Sequence, residues 1–126
     1  MRVVISEFMD EAAIASLRNR FATHSDPTLV DRRQDLKAML VDCEALIVRN
    51  RTQVDADMLQ AAPALKVVGR LGVGLDNIDV PACDARGIKV IPATGANALA
   101  VAEYVIATGM MLLRGAYAST AAVGTM

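Results

Sequence analysis

The chain has 126 residues, a length that supports one domain with a sizeable core. Its residues are 54% apolar and its formal net charge is −1, with no run of lysine and arginine long enough to track phosphates; this argues against a nucleic-acid surface. The longest apolar segment, 98–113, is broken by Glu103, and the N-terminal apolar run is too short for a signal peptide, so neither a membrane span nor a secretory leader is expected.

The sequence predicts elements in the following chain order. Residues 2–6 (RVVIS) form a β-branched first strand. Residues 10–20 follow as a helix, with Ala13, Ile14 and Leu17 at helical spacing. A weak second strand covers 23–28 and ends near Pro27. A helix over 31–40 places Leu36, Met39 and Leu40 on one face, with Asp31 as its N-cap. Residues 45–48 (ALIV) are a third strand, and 55–62 a short helix that stops before Pro63. Residues 65–69 are the fourth strand. Asp79 caps a helix over 80–86 that ends at Gly87. Residues 88–91 (IKVI) are the fifth strand. After a loop over 94–97, Asn97 caps a long helix to about Arg114, followed by a small-residue tail with no core-forming pattern.

Strands alternating with helices at this spacing imply an α/β fold with a parallel sheet covered on both faces. Ligands of such sheets bind beyond the carboxyl ends of the strands. Three loops are expected to converge there: 49–52, 71–74 and 92–97. Val101, Val105, Ile106, Met110, Met111, Leu112 and Leu113 spread over most of the last helix's circumference. Burying five such side chains is worth roughly 8–15 kcal/mol, so that helix is expected to pack on another domain or subunit.

The chemistry concentrates in LKVVGRLGVGLDN, residues 65–77. An apolar run passes into Gly72-Val73-Gly74, and a strand ending in glycines aims backbone N–H groups into a crevice that suits a small anion. A dinucleotide fingerprint fails here. Asn77 occupies the third glycine position, and no acidic residue stands about 20 positions on. The remaining readings are a tight turn and a turn that also receives a carboxylate. Arg49 and Arg51 flank the end of the third strand, where guanidinium groups suit paired hydrogen bonds to an acid; the bland alternative is two solvated loop charges. Arg70 is expected to pair with Asp76 or Asp79, Asn97 to cap its helix, Glu103 to be structural, and His24, the single histidine, to lie at the surface. Cys43 and Cys83 have no metal-ligand spacing and, as free thiols, suit a reducing cytoplasm. No paired carboxylates, metal cluster or nucleophile–base arrangement stands out.

The block VVGRLGVGLDNIDVPACDARGIKVIPATGANALAVAEYVIATGMMLLR resembles the D-isomer-specific 2-hydroxyacid dehydrogenase family. The whole chain fits that family's N-terminal portion. The run LIVRNRT looks most like the D-3-phosphoglycerate dehydrogenase-like branch. The resemblance implies a flavodoxin-like (Rossmann-like) substrate domain, incomplete here, over 1–97. Residues 98–126 would then be an inter-domain and dimerisation helix leading to a missing NAD-binding domain. It assigns substrate contacts to Arg49, Asn50 and Arg51 (distal anionic group), to Gly72, Val73 and Gly74 (substrate carboxylate) and to Asn97. Val73 and Val101 are implied to border the cofactor, NAD or NADP, which is bound mainly by residues outside this chain. The family's nucleotide fingerprint and its catalytic arginine, glutamate and histidine are absent. The chain alone is therefore expected to be an inactive part of a cytoplasmic, homodimeric oxidoreductase acting on a small 2-hydroxy or 2-keto acid.

A receiver-like signalling domain requires an aspartate at the end of the third strand, where Val48-Arg49-Asn50 stands instead. A non-catalytic ligand-binding or corepressor-type protein on the same fold keeps the same loops and stays open. A free-standing acid-binding module requires dimerisation through the last helix.

Overall fold

The computed structural model describes residues 1–93 and 98–125, with side chains as far as 112. The short apolar runs form five parallel strands: β1 (Arg2–Ile5), β2 (Ala22–Ser25), β3 (Ala45–Val48), β4 (Val67–Arg70) and β5 (Lys89–Pro92). Their order in the sheet is β2-β1-β3-β4-β5. This is the flavodoxin-like order, in which the direction of winding reverses between β1 and β3.

Successive side chains of a strand point to opposite faces, so each strand feeds two cores. Val3, Ile5, Ala45, Ile47 and Val67 face one side, Val4, Leu46, Val48 and Val68 the other. Helices α1 (Glu11–Arg18) and α5 (Ala98–Thr125) cover the first side through Ala13, Ile14, Leu17, Val101, Ala102 and Val105. Helices α2 (Arg33–Met39), α3 (Ala56–Gln60) and α4 (Val80–Ala85) cover the second through Leu36, Met58, Leu59 and Cys83.

Local chemistry sets the helix starts. Asp10, Asp55 and Asp79 each accept a hydrogen bond from a backbone N–H in the first turn of α1, α3 and α4. Gly87, at φ +70°, ends α4 in the left-handed conformation that glycine adopts at least cost.

Three expectations are corrected. The second strand ends at Ser25, because the Asp26 carboxylate binds the N–H and hydroxyl of Thr28 and starts a 3₁₀ turn over Pro27–Asp31. Asp31 is not the cap of α2: that helix starts at Arg33 with no side-chain cap, and Asp31 pairs instead with Arg51. The last helix does not stop near Arg114 but continues to Thr125. The alanines of the small-residue tail carry high helix propensity, which outweighs the absence of a core-forming pattern.

Val101, Ala102 and Val105 are fully buried in the same core as β1 and β3. A Cβ placed on Gly69 would lie 3.0 Å from Val101 and 3.4 Å from Val105, so the bare glycine in β4 lets α5 sit close on the sheet. The opposite side of α5 exposes Tyr104, Met110 and Met111, and Leu112, two turns after Val105 on the sheet-facing side, is exposed as well. Apolar surface therefore does run round this helix, half of it covered by its own domain. No helix among the described residues is long and apolar enough to cross a membrane.

Candidate functional site

Three loops leave the carboxyl ends of neighbouring strands. Ser6-Glu7-Phe8 follows β1, Arg49–Thr52 follows β3, and Leu71–Gly74 follows β4. The first two flank the point where the winding reverses, the place at which open parallel sheets leave a crevice.

Arg49, Asn50 and Arg51 are exposed and line a depression of about 300 Å³ together with Glu7, Phe8, Pro27 and Val30. The Arg49 guanidinium makes one long bond, 3.5 Å, to the carbonyl of Phe8. The Arg51 guanidinium is paired with Asp31. Asn50 also lines a second cleft of about 220 Å³ with Gln53, Arg70, Gly74, Asp76 and Asn77. The β3 and β4 loops thus border one cleft.

Asn77 fixes the distance between them. Its Nδ2 donates to the carbonyls of Arg49 and Thr52, both at 2.8 Å, and its Oδ1 accepts from Arg70 Nε at 3.2 Å. Arg70 in turn donates to the carbonyl of Leu71 at 2.8 Å. The expected partners of Arg70, Asp76 and Asp79, are replaced by Asn77. An amide serves all three contacts because it both donates and accepts, which a carboxylate cannot do.

The glycine loop is tight for a reason visible in its torsions. Gly72 has φ +142°, and its N–H bonds the Arg70 carbonyl at 3.0 Å. The Leu71 N–H is taken by Val48 at 2.8 Å. The N–H groups of Val73 and Gly74, both exposed, have no hydrogen-bond partner among the described residues. Asn97 lies outside the described residues.

Val101 has no accessible surface and packs over Gly69. Glu103 is exposed on α5, where it lines a shallow surface with Arg20 and Asn19 and has no burial to offset. His24 is exposed on the edge strand, as expected.

Glu7 carries no signal in the sequence, yet it is 4% exposed and accepts three backbone hydrogen bonds from the β3 loop. Its partners lie more than forty residues away, beyond the reach of any local pattern. Thr52 adds a 2.9 Å hydroxyl contact to Ser6.

The described residues do not fit a dinucleotide. The space beside Gly72 that a pyrophosphate needs is filled by the Arg70 guanidinium, and the helix that follows the loop has only six residues. No group of metal-ligating side chains occurs among the described residues. Nor do the described loops bring together an acid–base pair. What they offer is a pair of guanidinium groups and a set of backbone donors.

A family profile described as "D-isomer specific 2-hydroxyacid dehydrogenase, catalytic domain" matches residues 3–125. The (S)-sulfolactate dehydrogenase of Chromohalobacter salexigens is 57% identical over 118 residues, which are 94% of this chain and 38% of that protein. The D-3-phosphoglycerate dehydrogenase of Archaeoglobus fulgidus is 41% identical over 107 residues, 85% of this chain and 20% of that protein. A solved protein of Pyrococcus horikoshii superposes with a TM-score of 0.69 at 26% identity, over 75% of this chain and 28% of its own. The chain spans well under half the length of each of these relatives. By sequence and by fold, the chain belongs to the D-isomer specific 2-hydroxyacid dehydrogenase catalytic-domain family.

Proposed function

We propose that this chain is the substrate-gripping part of an NAD(P)-dependent D-2-hydroxyacid dehydrogenase whose acid carries a second anionic group. One observation carries the reading. At the carboxyl ends of β3 and β4, Asn50 borders both the depression lined by Arg49 and Arg51 and the cleft lined by Gly74, so the guanidinium groups and the glycine loop lie at adjoining spaces.

In this reading the N–H groups of Val73 and Gly74 receive the substrate carboxylate, and Gly72 supplies the turn that exposes them. Arg49 and Arg51 hold the distal anion, with Asn50 between the two sites and Asn97 as a further substrate contact. Charge-assisted bonds of this kind contribute about 1.5–3 kcal/mol each. They act on parts of the acid that do not react, and so orient the hydroxyl-bearing carbon. The relatives named for sulfolactate and for 3-phosphoglycerate support a two-anion acid, since both names denote a three-carbon 2-hydroxy acid with a sulfonate or a phosphate.

The nicotinamide cofactor, with Val73 at its border, and the acid–base groups belong to parts of the full-length protein outside this chain. The exposed side of α5, with Tyr104 and Met111, is assigned to a homodimer contact, and the protein to the cytoplasm. The test is direct. Full-length protein is supplied with NAD or NADP and a panel of sulfolactate, 3-phosphoglycerate and lactate, and the absorbance of the reduced cofactor is followed. Turnover with a strong preference for the two-anion acids is expected. Tight binding of such an acid without turnover would favour a ligand-binding protein instead.

A further inference from the structure

Backbone N–H groups that converge from a loop form a nest, and nests ordinarily receive an anion from outside the chain. In this protein the β3 loop forms one, and it is already filled. The Glu7 carboxylate accepts from the N–H of Arg49 at 2.6 Å and of Thr52 at 3.1 Å through Oε2, and from the N–H of Arg51 at 3.1 Å through Oε1. It is 4% exposed and reaches the nest from the end of β1, across the point where the winding reverses. Asn77 holds the same loop from the opposite side through the carbonyls of Arg49 and Thr52. The backbone of Arg49 is therefore fixed at both its N–H and its C=O, while its guanidinium stays exposed beside the depression.

We infer that Glu7 is a positioning residue for distal-anion recognition: an internal carboxylate that fills the loop's nest and presets Arg49 and Arg51. The inference rests on the substrate-loop reading above and assigns it a residue that touches no substrate. Two consequences follow from the geometry. The N–H groups of Arg49, Arg51 and Thr52 are unavailable to an external anion, so the second anion of the substrate is read by side chains. Side chains that start from a fixed backbone lose less freedom on binding, so affinity depends on Glu7 through pre-organisation rather than contact.

The test uses full-length protein carrying Glu7→Ala and measures KM and kcat for a two-anion acid (sulfolactate or 3-phosphoglycerate) and for lactate. KM for the two-anion acid is expected to rise tenfold or more, kcat to fall by less, and KM for lactate to move by less than twofold. Formate at tens of millimolar should enter the emptied nest and return KM most of the way, while leaving the wild type and Arg49→Ala unaffected. A merely structural role for Glu7 predicts equal losses on both acids and no rescue, and that result overturns the inference. Unchanged kinetics in Glu7→Ala overturn it as well. If Glu7→Ala does not fold, Glu7→Gln, isosteric but with an amide donor facing N–H groups, must show the same split between the two acids, and its absence counts against the inference. Turnover by the wild type without the split removes only the role of Glu7. No wild-type turnover on any acid removes the dehydrogenase reading and this role together.

Discussion

Arg70 occupies the space in which a side chain on Gly72 would stand: a Cβ built on Gly72 overlaps Arg70 Nη1. The arginine is not free to move away, because Asn77 and the Leu71 carbonyl hold it, and it is itself buried. The glycine is therefore fixed twice, by φ +142° and by the guanidinium that packs on it. Gly72→Ala is expected to destabilise the protein by about 1–3 kcal/mol through backbone strain alone, with loss of acid binding as the loop shifts. Thermal unfolding of the full-length variant checks the first effect and KM the second. An unchanged Tm would contradict this account of the loop.

Asn77 joins two loops that share a cleft but belong to different strands. Removing its amide leaves the carbonyl of Thr52 and the Nε of Arg70 without partners in a buried setting, and the carbonyl of Arg49 in a part-buried one. Each such orphan costs about 1–3 kcal/mol. Asn77→Ala should lower the Tm more than Gly72→Ala does. Asn77→Asp should not rescue it, since a carboxylate has no N–H to give the two carbonyls. A neutral Asn77→Asp substitution, read by the same melting curves, would disprove the donor role.

Much of this arrangement is legible in the sequence. The apolar runs of β1, β3 and β4 alternate between two cores as strand geometry dictates, and the cap Asp79 sits where its residue type and spacing place it. The Arg49–Arg51 and Gly72–Gly74 loops are legible because they follow strands in a parallel sheet. What the sequence hides is the choice of partner. Glu7 serves a loop 42 residues away, Asp31 pairs with Arg51 rather than capping its own helix, and Arg70 selects an amide over two nearby carboxylates. Each is decided by which strand ends lie side by side, and that follows only once the strand order is known.

Cys43 gives the fold an alkaline limit. Burial pushes its thiol up to about 12 from an ordinary 9.0, while its Sγ donates to the Ala45 carbonyl at 3.0 Å. The folded state holds the proton that the unfolded state releases. Its contribution is thus complete below pH 9 and is lost as pH rises towards 12, by at most about 1.4 kcal/mol per pH unit. Melting curves at rising pH should fall more steeply for the wild type than for Cys43→Ala. Parallel curves would remove Cys43 as the cause.

Met111 is 68% exposed on the side of α5 away from the sheet, with Met110 beside it. If that surface is a subunit contact, Met111→Asp should leave the domain folded and convert a dimeric full-length protein to monomers. Sedimentation at micromolar concentration distinguishes the two states. A variant that stays dimeric would move the contact elsewhere.

The central claim is that Arg49 recognises a second anion on the substrate. The most direct measurement is KM of full-length Arg49→Ala for a two-anion acid and for lactate. Loss of one charge-assisted contact of about 1.5–3 kcal/mol corresponds to a rise of roughly ten- to a hundredfold for the two-anion acid, with little change for lactate. Equal rises on both acids would contradict the claim and return Arg49 to the status of a solvated loop charge.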